Sequence, residues 1–418
     1  MRILAIETSC DETAVAVVES DGAAFTVTGN ALYSQAHLHA PYGGVYPNLA
    51  KREHQNNLPA LTEEALREAA SENGDLAREP QARREIRGPL FSDAADLRET
   101  DHAPEKVLGS PVVSSTRRPD FSIARSVSLV VNLDLIAVTS GPGLEPALWT
   151  GITFAEELGK KWGVPVVGVD HMEGHIVSAL VKPDEVQDLR FKIQEFEFPV
   201  LALLISGGHT ELVLMREWFR YELVGRTKDD AVGEAFDKVA RILGLPYPGG
   251  PAIAALAADS RSKIQDSRFK LPRPIINDGT CDFSFSGLKT AVLYLVRDLG
   301  TLTDEDRAAI AREFEDAARD VMVAKSRHAL TETGAKTLAV GGGVAANAHI
   351  REGLERLVEG EFPGTRLLYP SYSLTGDNAV MIGVAAALRA AHGAETPKAP
   401  LTAKGSQSLV DSHVLEKI

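Results

Sequence analysis

Cysteine is nearly absent from this chain. Two residues, Cys10 and Cys281, serve a length of 418, which excludes a disulfide scaffold and any four-cysteine zinc site. Long apolar runs are missing as well. No stretch approaches the roughly 18–20 uncharged apolar residues that a membrane span needs. Basic charge is in deficit, with 44 Lys and Arg against 58 Asp and Glu and a net charge of −14. General nucleic-acid binders draw their affinity from Lys and Arg on phosphates, so that class is disfavoured, leaving room only for a local basic patch on an acidic body. Room for a leader is lacking too. "MRILAIETSC" reads as a strand from its second residue, and the expectation is a cytoplasmic protein, most simply bacterial.

What is present is an α/β pattern. At 44% hydrophobic the chain can bury a large core, divided between two lobes. "ILAIETSCDETAVAVVE" runs apolar strand, small-polar turn, apolar strand, and "VLALLISGGHTELVLM" repeats that plan about 200 residues later. Each predicts a β-hairpin, and the pair suggests two lobes of one duplicated design. "LDLIAVTSGPGLEPALWTGITFAEELGKKW" and "KTLAVGGGVAANAHIREGLERLV" read as strand, glycine turn and helix. Such turns let backbone N–H groups approach an anion, although glycine is also the default residue of tight turns. Residues 74–126, with mixed charge, prolines and no sustained period, read as an inserted, disordered surface segment. Residues 393–418 read as a loose, polar tail.

"DHMEGHIVSAL" (170–180) places His171 and His175 about 40° apart on one helix face, the spacing of a metal pair. Asp170 as N-cap with Glu173 three positions on makes a capping-box-like pair. A zinc protease of the H-E-x-x-H type is excluded, because its general-base position is Met172 here, and Glu173 lies on the far side of the helix. Two helical histidines bound to nothing is the plain alternative.

Nine motifs then coincide in one order: "AIETSCDET", "GGVYPNLAKREH", "SGPGL", "HMEGH", "LISGGHTEL", "DDAVGEAFDKVARILGLPYPGGP", "FSFSGLKTAV", "GGGVAAN" and "GDNAVMIG". Together they closely resemble the tRNA N6-adenosine threonylcarbamoyltransferase family, the catalytic subunit of threonylcarbamoyladenosine synthesis. The resemblance covers nearly the whole chain apart from the insertion and the tail. It departs in the insertion itself and in "VYPNLA", where many relatives have "VVPELA".

The resemblance implies a two-lobed α/β fold of the actin, Hsp70 and sugar-kinase type, with nucleotide and metal bound in the interlobe cleft. It implies lobes at 1–197 and 198–368, and a helix at 369–392 that carries the third metal ligand back to the first lobe. It implies one divalent metal, iron first and zinc second, held by His171, His175 and Asp377. A helix N-cap is the alternative role for Asp377. The implied reaction moves the threonylcarbamoyl group from threonylcarbamoyl-AMP to the N6 amine of adenosine 37 in tRNA, releasing AMP. For the adenylate the resemblance points to Leu204, Ile205, Ser206, Gly207 and Gly208 of "LISGG", to Asp237, to Gly250 and to Asn347. Asp11 and Glu12 are the catalytic candidates, with Asp11 as proton acceptor. His209 is a candidate for positioning substrate, and Lys51 and Arg52 for contacting tRNA phosphate. Implied partners are tRNA, a paralogous dimerisation subunit and a small ATPase, with no membrane. Two competing functions remain open on sequence: an ATPase or kinase of the same fold, and a non-catalytic scaffold.

Overall fold

A computed structural model describes residues 1–72, 132–184, 189–263, 268–406 and 408–410. The insertion expected at 74–126 lies outside the described residues, as do positions 411–418 of the tail. Three strands open the fold, β1 (Arg2–Glu7), β2 (Glu12–Ser20) and β3 (Ala24–Ser34), followed by a short helix α1 (Ala36–His39) and the long α2 (Pro47–Glu72). Next come β4 (Leu135–Gly141), α3 (Glu145–Trp162), β5 (Val166–Asp170), α4 (His171–Leu180), β6 (Val181–Pro183) and β7 (Arg190–Ile193). The second half begins with β8 (Val200–Ile205), β9 (Thr210–Glu217) and β10 (Arg220–Arg226), then α5 (Val232–Ile242), α6 (Gly249–Lys263), α7 (Ser286–Leu299) and α8 (Asp304–Thr333). It closes with β11 (Thr337–Gly341), α9 (Ala348–Glu361), β12 (Arg366–Leu368) and α10 (Ala379–Ala391).

The strands form two sheets that share one plan. The first contains the order β3-β2-β1-β4-β5 and the second the order β10-β9-β8-β11-β12. In each, an antiparallel three-stranded meander starts from a central strand, β1 or β8, which pairs in parallel with the next strand on its other side. The two hairpins read from the sequence are the β1–β2 and β8–β9 pairs. β7 and β6 extend the first sheet beyond β3.

Both central strands are buried on both faces, as expected of near-continuous apolar runs. Their side chains alternate with period two. Ile3 and Ala5 of β1, and Val200, Ala202 and Leu204 of β8, meet in one core between the sheets. Leu4 and Ile6 face outward to α2 and α3, while Leu201, Leu203 and Ile205 face outward to α5, α7, α8 and α9. The molecule is therefore layered helix, sheet, helix, sheet, helix.

The middle layer holds α4 and α10. All ten residues of α4 are buried, and so are the first eleven of α10. A helix apolar all round suits such a place, and α10 ("AVMIGVAAALRAA") is nearly that. α4 is not. It carries two histidines, a glutamate and a serine into the centre of the protein, and each needs a partner there.

The stretch after His392, expected to be loose, is held in place over the described residues. Gly168 N–H donates to Pro397 O at 2.8 Å and Lys404 N–H to Ser140 O at 2.9 Å, so the chain runs along the otherwise open edge of β5. Leu401 and Ala403 are buried in the core that β4 shares with α3, and Leu401 N–H donates to Glu156 at 2.7 Å. Edge hydrogen bonds and two apolar anchors outweigh the polar composition that suggested disorder.

Candidate metal centre

β5 ends at Asp170, and the chain turns at once into α4. Asp170 Oδ1 accepts from Met172 N–H at 2.8 Å and Glu173 N–H at 3.2 Å, the expected N-cap. Burial pushes the Asp170 carboxyl up to about 7. The reciprocal half of the expected capping box is absent. Glu173 instead reaches away from the helix start and forms a bidentate ion pair with Arg389 of α10, at 2.6 and 2.8 Å. It also accepts from Tyr221 Oη of β10 at 3.1 Å. A fully buried carboxylate gains more from a guanidinium fork than from one backbone N–H.

The cap fixes where the histidines point. His171 and His175 lie on one face of α4, their ring centroids 4.7 Å apart. Asp377 comes from the loop entering α10. It does not cap that helix, because Asn378 does, accepting from Met381 N–H at 2.9 Å. The Asp377 carboxylate is thus free to face α4. Its Oδ1 stands 3.4 Å from His171 Nε2 and 3.2 Å from His175 Nε2. Nitrogen and oxygen ligands about 2.0–2.2 Å from a single ion are roughly 3.3 Å apart at tetrahedral angles.

The surroundings fit a cation. Among the described residues, neither ring nitrogen of the fully buried His175 has a hydrogen-bond partner of acceptable geometry. Burial opposes ionisation of Asp377, yet the two imidazoles hold its carboxyl far below the usual range. Burial likewise opposes a charge on His171, but Asp377 and Glu7 raise it well above an ordinary histidine. His175 is pushed down, by burial first. Buried carboxylates facing two neutral-capable nitrogens are the donor set that a divalent ion completes.

Glu7, the last residue of β1, was not singled out on sequence. It is fully buried and accepts from Ser9 N–H and Thr139 Oγ1, each at 2.5 Å. Its other contact is His171 Nδ1 at 3.0 Å. A carboxylate on the far nitrogen fixes the ring's tautomer and turns Nε2 toward the metal position. The available signal was a lone charge ending an otherwise apolar buried strand, "ILAIE".

Asp11 ends the β1–β2 turn and Glu12 opens β2. Burial raises both carboxyls, Glu12 well above its ordinary value, and the charge of Asp377 adds to each. Glu12 also accepts from Ser34 Oγ at 3.0 Å. Asp11 is felt in turn at Asp237 and Tyr247, so the turn stands between the histidine cluster and the Asp237 region. Asp237, raised to about 6 chiefly by burial, uses Oδ1 to accept from Gly249 N–H at 2.7 Å, at the start of α6. Gly250 next to it borders open space.

In "LISGG", Leu204 and Ile205 have their side chains in the core, leaving only their backbone to a ligand. Ser206 Oγ accepts from His209 N–H at 3.1 Å, and Gly207 and Gly208 are exposed and open. His209 is lowered to about 4 by burial, with His171 and His175 contributing. A cavity of about 530 Å³ opens beside this turn, lined by Gly208, His209, Glu211, Arg226, Lys228 and Asp282 among others.

Three of these features have structural roles of their own. Asn347 is engaged at both ends, capping α9 through Ile350 N–H at 3.0 Å and donating to Glu315 at 2.6 Å, so in this state it shapes the loop. The turn at Gly141–Gly143 is no anion cradle, because Gly143 N–H donates to Gly405 O at 3.1 Å and Leu144 N–H to Ser9 O at 2.7 Å. At the third turn, a Cβ on Gly341 would stand 2.7 Å from His175 O, so glycine there lets β11 touch the histidine helix. Lys51 and Arg52 are exposed on α2.

The sequence model of the family described as TsaD, tRNA N6-adenosine threonylcarbamoyltransferase, matches residues 26–78 and 122–384. A protein of that name from Aromatoleum aromaticum is 40% identical over 400 residues, covering 95% of this chain and 94% of its own. One from Ralstonia pickettii is 39% identical over 394 residues, covering 93% and 91%.

Proposed function

Because the chain belongs to the tRNA N6-adenosine threonylcarbamoyltransferase family, we propose that its buried cluster is the catalytic centre for modifying adenosine 37 of tRNA with a threonylcarbamoyl group. The carrying observation is the convergence of His171 Nε2, His175 Nε2 and Asp377 Oδ1 at 3.4 and 3.2 Å. The cluster would hold one divalent ion. Two imidazoles and a carboxylate suit iron(II), with zinc second. Such an ion supplies Lewis-acid polarisation and a fixed anchor for substrate oxygens.

The donor in this reading is threonylcarbamoyl-AMP. The N6 amine attacks the carbamoyl carbon, a C–N bond forms, the bond to the AMP phosphate oxygen breaks, and the amine gives up one proton. Asp11 accepts that proton. Glu12, pushed up further than Asp11, keeps its own proton and hydrogen-bonds Asp11, so the pair divides into an acid and a base. Asp237 uses its second oxygen for the ribose hydroxyls, and the absent side chain of Gly250 admits the sugar. The open Gly207–Gly208 turn offers backbone N–H groups to the phosphate or carbamoyl end. His209, neutral at working pH, faces the same cleft without competing for the metal's charge.

The repeated sheet order supports the duplicated actin, Hsp70 and sugar-kinase plan, with the adenylate in the cleft between the two lobes. No helix among the described residues is long and apolar enough to cross a membrane. Arg226 and Lys228, on the wall of the cavity beside His209, are the cations this reading assigns to tRNA phosphate. A paralogous subunit and a small ATPase complete the machinery in this reading. The test supplies threonylcarbamoyl-AMP and unmodified tRNA, with and without those partners, and measures threonylcarbamoyladenosine by nucleoside mass spectrometry. Product from the wild type and none from His175→Ala is expected. Product from both would remove the cluster from the reaction.

A further inference from the structure

Among the described residues a second group has the same construction as the first. His328 and Glu332 stand four apart on α8, as His171 and His175 do on α4, and Cys281 of the loop before α7 closes the triangle, all three ligand atoms within 4.8 Å of one another. Cys281 Sγ is 3.5 Å from Glu332 Oε2, and His328 Nε2 is 3.2 Å from Glu332 Oε1. A sulfur about 2.3 Å and an oxygen about 2.0 Å from one zinc ion are roughly 3.5 Å apart at tetrahedral angles, and a nitrogen and an oxygen roughly 3.3 Å. The nitrogen–oxygen separation is in the range of those at the first cluster, 3.4 and 3.2 Å, and the sulfur and the nitrogen approach different oxygens of the one Glu332 carboxylate.

The loop is laid onto α8 in a way that presents the sulfur. Lys325, one turn before His328, holds Asp278 at 2.6 Å and the Thr280 carbonyl at 2.8 Å; without an ion His328 Nε2 donates to Gly279 O at 3.1 Å, a bond that coordination through Nε2 would replace. Cys281 is buried, whereas His328 and Glu332 are open to solvent on their outer side, so an ion has a route in and a free fourth position. Burial and the hydrogen bond to Glu332 push the thiol up to about 12. A thiol so protonated is a poor nucleophile and a poor redox sensor. Coordination is the chemistry that draws its proton off. A thiolate and a carboxylate would then balance a doubly charged ion, with a neutral imidazole as third ligand.

We propose that Cys281, His328 and Glu332 form a second metal site, for a zinc-class divalent ion, that clamps the 278–282 loop to α8. Asp282, the last residue of that loop, lines the cavity beside His209 and pairs with Lys228 at 3.1 Å. An ion here would therefore set one wall of that cavity without belonging to the first centre.

The full chain, stripped with a chelator and titrated with cobalt(II), tests this. Two equivalents are expected, one of them with intense thiolate-to-cobalt charge-transfer absorption. Cys281→Ser should remove that band and one equivalent. His171→Ala/His175→Ala should keep the band, which separates this site from the catalytic reading. Glu332→Gln, on an exposed helix face where folding is not at stake, should weaken the band-forming site on the order of tenfold or more. No band in the wild type would overturn the proposal. So would a band that survives Cys281→Ser, one lost in Cys10→Ser, or one unmoved by Glu332→Gln.

Discussion

Replacing Glu173 by Leu removes the carboxylate that joins the histidine helix to α10. Its partner Arg389 is nearly as buried, with side-chain exposures of 8% for the arginine and 0% for the glutamate. Arg389 also stacks over Phe219 and donates to Glu395 O at 2.5 Å, so the guanidinium cannot swing out to water. Breaking one side of such a pair strands a buried charge, at about 3–5 kcal/mol. Urea unfolding followed by circular dichroism should show Glu173→Leu destabilised by about 4 kcal/mol. The triple change Glu173→Leu, Arg389→Met, Tyr221→Phe removes both charges and the hydroxyl that faces Glu173, and leaves Glu395 O without the Arg389 donor. It should recover all but about 1 kcal/mol, because apolar replacements of a buried ion pair are often close to neutral. A single variant costing under about 1 kcal/mol, or a triple variant as unstable as the single, would refute this account of the middle layer.

Glu7→Gln should lower metal affinity about 10–100-fold by releasing the His171 ring, measured by competition with a chromogenic chelator at unchanged fold. Threonylcarbamoyl-AMP binding should weaken as pH falls through about 6, where Asp237 takes up a proton and ceases to accept from ribose. Isothermal titration from pH 5 to 8 reads this, and Asp237→Asn should bind weakly with a flat profile. Leu401→Ala should cost roughly 2–5 kcal/mol in urea unfolding, since its side chain sits in the α3 core. A loose tail would show no cost.

Much of the framework was legible because it rests on local signals. Apolar runs of strand length flanking small-polar turns gave both hairpins, and glycine turns before helices gave the β4–α3 and β11–α9 units. The histidine pair is a spacing on one helix and could be read directly. Asp377 is 202 positions beyond His175, and only the family resemblance connected them. Glu173 was misassigned for the same reason: a local rule offered the helix N-terminus, while its true partner Arg389 is 216 residues away. Glu7 carries no spacing signal toward His171, since the two meet only through the parallel pairing that sets β1, β4 and β5 side by side. The C-terminal stretch was misread because a polar, proline-containing strip can still pair with a strand edge. Composition does not reveal an edge left vacant.

The chain passes between the two sheets twice, once between Ile193 and Val200 and once between Leu368 and Ala379. Asp377 sits on the second passage, while both histidines ride on a helix wedged between the sheets. Any rotation of one sheet against the other strains the second passage and shifts the carboxylate relative to the imidazoles. The distance from Asp377 to the two imidazoles is therefore tied to how the two sheets sit against one another. An ion held there, as proposed, would report any such movement in its spectrum.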